Sequence, residues 1–195
     1  MNKNLRNNII LFSVLSLIII IKVIKDRSSY TLSDEIFKSN KDKINKILLH
    51  KGENAIELLK ENESWKIAGN DTLVIIESKI SDFFDKVLDT KKETLVTENK
   101  EKWHILSVDD STGTHLALYD KNDKKIGYYV FGRSNKDWKH NYVRIDQKPH
   151  VYLTNQNIIN NLNPRESYWG EKPKPKSIEV DSLKSLPINN KKENK

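Results

Sequence analysis

The sequence predicts an α+β protein: an antiparallel sheet of strand meanders, one main amphipathic helix and a short C-terminal helix, all preceded by one transmembrane helix. Three patterns support this fold class. Residues 9–21 are almost uniformly apolar, and short alternating segments bounded by turn residues occupy much of the remaining chain. Residues 76–89 instead follow a helical period.

The first element is a membrane anchor over residues 9–25. Two serines are the only polar residues in the run 9–21, and such side chains can bond back to the preceding helical turn in lipid. The apolar length of about 24 Å is short of the roughly 30 Å hydrocarbon core, but Lys22 and Lys25 can reach the headgroups. A cleaved signal peptide is the alternative. Cleavage requires small residues just after the apolar run, and the only pair of small residues there directly follows Asp26 and Arg27, which fit a cleavage site badly.

Basic residues flank this anchor almost equally on both sides, so the positive-inside rule does not decide the orientation of the anchor in the membrane. Long downstream domains translocate largely regardless of their own charge. We therefore expect residues 1–8 in the cytoplasm and a single-pass signal anchor in the inner (cytoplasmic) membrane. The C-terminal domain is then extracytoplasmic, in the periplasm.

A polar juxtamembrane linker, residues 26–41, precedes the predicted α+β domain, residues 42–170. This domain opens with three short apolar or alternating segments separated by turn residues, which predicts an antiparallel meander. These strands are expected within residues 43–50, 55–61 and 65–67.

The main helix is predicted over residues 76–89. Its apolar side chains recur at helical spacing on one face, with acids and lysines opposite, so this face should pack onto the sheet. The face comprises Ile76, Ile80, Phe83, Phe84, Val87 and Leu88.

A second series of strands follows this helix. Asn155 is positioned to cap a short closing helix over residues 155–162, and residues 171–195 form a Lys- and Pro-rich segment that we expect to be a flexible tail. The six strands are predicted at residues 93–98, 105–109, 115–120, 126–132, 142–146 and 151–154.

The loop between two of these strands, residues 133–141, is the candidate functional surface. Aromatic and basic residues alternate there, as in some nucleic-acid grooves. However, the net charge of +7 comes from the two ends of the chain, and residues 31–170 carry equal numbers of basic and acidic residues. We therefore expect no nucleic-acid partner. A solvated hairpin is one interpretation; a partner or ligand ridge formed by Trp138, Tyr142, Arg144 and Arg133 is the other.

No pattern of an enzyme is present in the sequence. The chain has no cysteine, its five histidines lack the spacing of a metal site, and residues 110–113 fit a hairpin turn better than half of an aspartic-protease dyad. There is no phosphate-binding loop and no nucleophile elbow. We expect a non-enzyme without catalytic, cofactor-binding or metal-binding residues.

Several short motifs resemble a bacterial family known as domain of unknown function 4340. They are Trp65-Lys66-Ile67, the helix over residues 76–89, Phe131-Gly132, Tyr142-Val143-Arg144, Val151-Tyr152-Leu153 and the stretch 165–169. The similarity extends over roughly residues 42–170. Members of this family have an amino-terminal anchor and are often encoded beside a gliding-motility-type ABC transporter.

The resemblance therefore implies an accessory role at the cell envelope. We expect a membrane-anchored, non-catalytic accessory or scaffold protein of an envelope assembly, associated with an ABC-type transport system. Its expected partners are membrane lipid, through residues 9–25, and an envelope protein such as a transporter subunit. The alternative is an anchored extracytoplasmic domain that binds a cell-wall fragment or another small ligand.

Overall fold

A computed structural model describes residues 16–17, 34–38, 40–134 and 137–173. In this part of the chain, eight strands form one sheet in the order β3-β2-β1-β6-β7-β8-β9-β5, and every neighbouring pair is antiparallel. The strands of this sheet are β1 (Lys46–Lys51), β2 (Asn54–Glu61), β3 (Ser64–Ile67), β5 (Lys92–Thr97), β6 (Thr114–Tyr119), β7 (Lys125–Arg133), β8 (Asn141–Ile145) and β9 (Val151–Thr154). Two short strands, β4 (Val74–Ile75) and β10 (Gly170–Glu171), pair separately.

The predicted meander of three strands is confirmed as β1, β2 and β3. The predicted membrane anchor lies outside the described residues apart from Ser16 and Leu17, which are helical. Within the described ranges, no helix combines the length and apolar character needed to cross a membrane.

The predicted amphipathic helix is present but shorter. Helix α1 (Glu77–Asp82) continues directly as a π-helical segment, Phe83–Val87. The predicted face is turned inward, since Ile80, Phe83, Val87 and Leu88 are buried and Ile76 and Phe84 are half-buried. A short helix, α2 (Glu166–Trp169), follows the sheet and brings Trp169 to within 6.2 Å of Phe83, ring to ring.

The two faces of the sheet carry cores of different size. Alternating residues of the central strands, such as Leu116, Tyr129 and Val143, enter the main core, together with α1 and α2. The opposite face carries a small cluster of buried residues that partly buried rings surround. Its buried members are Val108, Val130 and Val151, and the rings belong to Trp103, Tyr128 and Tyr142.

Two predicted elements are wrong. Residues 105–109 form turns and not a strand, and Ser107 has a positive φ of 53°. The backbone of these turns lies directly against β7. A Cβ atom on Gly132 would lie 2.0 Å from the carbonyl oxygen of Leu106, so only glycine permits this approach. Asn155 does not cap a helix. Its Oδ1 accepts the Lys91 N–H at 2.9 Å, and only a 3-10 turn, Ile159–Asn161, follows it.

Candidate functional site

The β7–β8 hairpin places Trp138 at its tip, where the indole is 78% exposed. Lys139 Nζ lies 5.8 Å from the centre of this ring. Arg133, the last residue of β7, is also exposed. These three residues, Arg133, Trp138 and Lys139, are called the Trp138 surface below. They comprise one large exposed apolar side chain and two exposed cations of the same hairpin.

The backbone beneath Trp138 is held by a set of local hydrogen bonds. Asp137 N–H donates to Ser134 Oγ at 3.1 Å, and Asp137 Oδ1 accepts the Lys139 N–H at 2.8 Å. The other carboxylate oxygen of Asp137 bonds His140 Nδ1. The Lys139 N–H and His140 lower the pKa of Asp137, so its carboxylate is charged at neutral pH. Asn157 Nδ2 donates to the Trp138 carbonyl at 2.5 Å. Residues 137–140 are therefore held by hydrogen bonds, while the indole of Trp138 is exposed.

Arg144, predicted to share a ridge with Trp138, has a completely buried side chain. Its Nε donates to the Val108 carbonyl at 2.9 Å, Nη1 donates to the Asp146 carbonyl at 2.6 Å, and Nη2 pairs with Asp110 Oδ1 at 2.8 Å. The Trp103 ring lies 4.1 Å from its guanidinium carbon, at stacking distance. The structure therefore gives Arg144 an internal bridging position between two loops and the sheet.

The four residues predicted for the ridge are thus divided between two environments. Trp138 and Arg133 are exposed, whereas Tyr142 is half-buried beside Val151 and Arg144 is covered. The strand alternation that put Tyr142 and Arg144 on one face is confirmed. Residues 100–113, in which a strand was predicted at 105–109, instead fold over that face and cover Arg144.

A polar pair, the buried His115 and the half-buried Tyr128, lies on this same face of the sheet. His115 Nδ1 is 2.6 Å from the Tyr128 hydroxyl, and among the described residues His115 Nε2 has no hydrogen-bond partner. Burial and the neighbouring His50 lower the pKa of His115, which keeps its imidazole neutral at physiological pH. Burial likewise raises the pKa of Tyr128. Two neutral groups of this kind stabilise the face and provide no charged acid–base pair.

Asp109 organises the turn that sequence reasoning assigned to residues 110–113. Its Oδ1 accepts the N–H groups of Ser111 and Thr112, both at 2.8 Å, as well as the Ser111 hydroxyl. Burial favours a higher pKa for Asp109, but these bonds and His104 overcome it and hold the pKa well below its usual range. All of these bonds are internal to the turn. In the part of the chain that the structure describes, no three histidine or acidic residues are arranged to hold a metal ion.

The edge strand β5 was predicted as a strand, but its place in the sheet was not predicted. It is the last strand in the order, and residues 93–96 are exposed on both faces. Leu95 and Val96, two adjacent apolar residues, are 42% and 38% exposed. At its first residue, the Lys92 N–H donates to the Asp34 carbonyl at 2.6 Å, and Glu35 bridges Lys91 in an antiparallel sense. The backbone of residues 34–35 therefore already pairs with the beginning of the β5 edge.

A cavity of about 410 Å³ opens beside the same edge. Buried apolar side chains form its floor, and charged residues stand at its rim. None of the four residues predicted for the ridge lines it. The lining residues are Glu35, Ile36, Phe37, Leu88, Asp89, Thr90 and Lys91.

Comparison with known proteins gives one match. A family model described as Domain of unknown function (DUF4340) matches residues 65–195, which is more than half of the chain. The match begins at Trp65, a half-buried residue of β3 that packs against the core, and includes the hairpin and β5. No curated protein and no solved structure matches the chain.

Proposed function

This chain belongs to the family described as Domain of unknown function (DUF4340), and from that membership we propose that it is a membrane-anchored, non-catalytic accessory protein of a cell-envelope assembly. Residues 9–25 anchor it in the cytoplasmic membrane, and the folded domain lies on the periplasmic side. There it binds an extended segment of a partner protein. The choice of an ABC-type transport system as the assembly comes from the family resemblance.

The observation that carries this proposal is the open edge of β5. An edge strand presents a row of backbone N–H and C=O groups to which a further strand can pair. Leu95 and Val96 are both exposed, so a paired segment would gain apolar contacts with these two side chains. The pairing of Lys91 and Lys92 with residues 34–35 supports this mode, because it shows backbone pairing at the same edge.

The membrane anchor strengthens this binding even though it does not contact the partner itself. A partner in the same membrane meets the domain at an effective concentration set by the linker, so a weak strand pairing is sufficient for association. Natural edge strands that must not pair usually carry charged residues, proline or β-bulges. In β5, Lys92 and Glu93 are charged and the register shifts between residues 92 and 94 and between residues 95 and 97. Positions 94–97 carry no charged residue and no proline, and the proposed pairing is over this short stretch.

Photo-cross-linking in native membranes tests this proposal. A benzoylphenylalanine probe at Leu95 of the full chain is expected to give a discrete adduct containing a transport-system subunit. The same probe at Val74, which is 54% exposed in β4, is the matched control and should give none.

Leu95→Lys together with Val96→Lys is expected to reduce recovery of that partner at least about fivefold, since two buried aliphatic contacts are worth roughly 1–3 kcal/mol. Circular dichroism of the purified variant checks that the fold is retained. The proposal fails if the probes at Leu95 and Val74 give the same adducts.

The cavity beside β5 favours a second function, binding of a small ligand. Its volume of about 410 Å³ lies within the range of ligand pockets, and Asp89 and Lys91 offer polar groups of both signs at its rim. A cell-wall fragment or another amphiphilic ligand fits this chemistry. Protection of the Lys91 amine from acetylation by a muropeptide mixture would favour this function over strand pairing.

A further inference from the structure

The Trp138 surface, residues Arg133, Trp138 and Lys139, lies at the end of the sheet where β5 begins. Lys92 of β5 pairs with Thr154 of β9, and Thr154 Oγ1 accepts the Asn141 N–H at 2.8 Å. Asn141 is the first residue of β8, directly after the hairpin loop. His140, one position earlier, has its Nε2 3.4 Å from Glu93 Oε2. The hairpin and the start of β5 are therefore direct neighbours.

The chain leading from the proposed anchor reaches the domain at this same end. Asp34, whose carbonyl bonds Lys92, is only nine residues beyond Lys25, the last residue of the anchor. Nine extended residues span at most about 30 Å. Adjacent strands are about 4.8 Å apart, so the hairpin lies roughly 15 Å from Asp34 across the sheet. The end of the sheet that carries Trp138 is therefore within reach of the bilayer.

Several features of the Trp138 surface suit a lipid headgroup layer. Tryptophan favours this region because its ring is apolar while its N–H is a hydrogen-bond donor. Lys139 lies beside the ring, and Arg133 is exposed on the same hairpin, so both cations can contact lipid phosphates. The one acid in the loop, Asp137, is engaged by the Lys139 N–H and by His140. The hydrogen bonds that hold residues 137–140 limit the entropy lost when Trp138 and Lys139 dock.

We propose that the Trp138 surface docks onto the anionic headgroups of the membrane in which the same chain is anchored. Trp138 enters the headgroup region, and Arg133 and Lys139 contact phosphates. This inference rests on the anchoring in the proposed function. In the docked orientation, the hairpin end of the domain lies against the lipid. β5 then extends away from the bilayer toward a partner.

The absence of cysteine from the sequence allows a clean test, because a single introduced cysteine can be labelled. The full chain is reconstituted into vesicles of equal parts phosphatidylcholine and phosphatidylglycerol. An environment-sensitive fluorophore is attached in separate proteins at Lys139→Cys and at Asn122→Cys. Asn122 is exposed in the β6–β7 turn, at the opposite end of the sheet. A nitroxide on the lipid headgroup serves as the quencher.

Quenching is expected to be several-fold stronger at position 139 than at position 122. Adding Trp138→Ala to the Lys139→Cys protein should bring quenching down toward the control value. Since Trp138 is exposed, this variant is expected to fold normally, which circular dichroism verifies. Equal quenching at the two positions, in protein that floats with the vesicles, overturns the docking alone. A chain that does not float with the vesicles overturns the proposed anchoring as well.

Discussion

Arg144→Ala is expected to lower the free energy of unfolding by about 2–5 kcal/mol, because it removes a completely buried side chain together with the hydrogen bonds that it donates. The substitution leaves the carbonyl groups of Val108 and Asp146 without their donor and opens a void beneath Trp103. Arg144→Lys should recover little of this loss, because an ammonium group cannot reproduce three divergent hydrogen bonds in one plane. Urea denaturation of the detergent-solubilised chain, followed by circular dichroism, measures the change.

Arg133→Ala provides the matched control for this prediction. Arg133 is exposed in the neighbouring strand and, by the ordinary behaviour of surface residues, its loss should change stability by no more than about 0.5 kcal/mol. If the two arginine variants unfold at the same urea concentration, Arg144 does not have the bridging role assigned to it.

Trp169→Ala is expected to have an effect of similar size, about 3–5 kcal/mol, because it removes the largest fully buried side chain of the main core. The ring contacts Phe83 of the π-helical segment and Tyr168, and its Nε1–H donates to the Asn163 carbonyl at 2.6 Å. Removing it leaves a cavity between the two helices and an unpaired carbonyl. Thermal unfolding monitored by near-ultraviolet circular dichroism gives the measurement.

Trp138→Ala is the corresponding control, since the same side chain is removed from the surface. Its indole is 78% exposed, so stability should remain within about 0.5 kcal/mol of the unmodified protein. A melting temperature for Trp169→Ala equal to that of Trp138→Ala would contradict the assigned core. Comparison of the two variants thus distinguishes the contribution of a buried tryptophan to stability from that of an exposed one.

The sequence predicted those parts of the fold that depend on local periodicity. Alternation placed Val143 in the main core and Arg144 on the opposite face, and the apolar face around Phe83 identified the main helix. The open edge at β5 could not be predicted in this way. A strand's place in a sheet depends on pairing between distant residues, such as Leu95 with Tyr152, which leave no period in the sequence.

The candidate surface was predicted only in part, for a related reason. Trp138 and Arg133 lie in or beside a polar loop, and loops are generally exposed. The burial of Arg144 depends on a separate segment, in which Asp109 collects the N–H groups of two following residues and holds the turn over the sheet. An aspartate followed by serine and threonine indicates such a turn. It does not indicate which face the turn will cover.

Membrane fractionation of the full chain tests the central claim, that an anchored domain acts at the lipid boundary, most directly. We predict that the protein sediments with membranes, stays there through high salt and alkaline carbonate, and is released only by detergent. A variant lacking residues 1–30 should appear in the supernatant, still folded by circular dichroism. Recovery of the uncleaved full chain in the detergent-free supernatant would contradict the account.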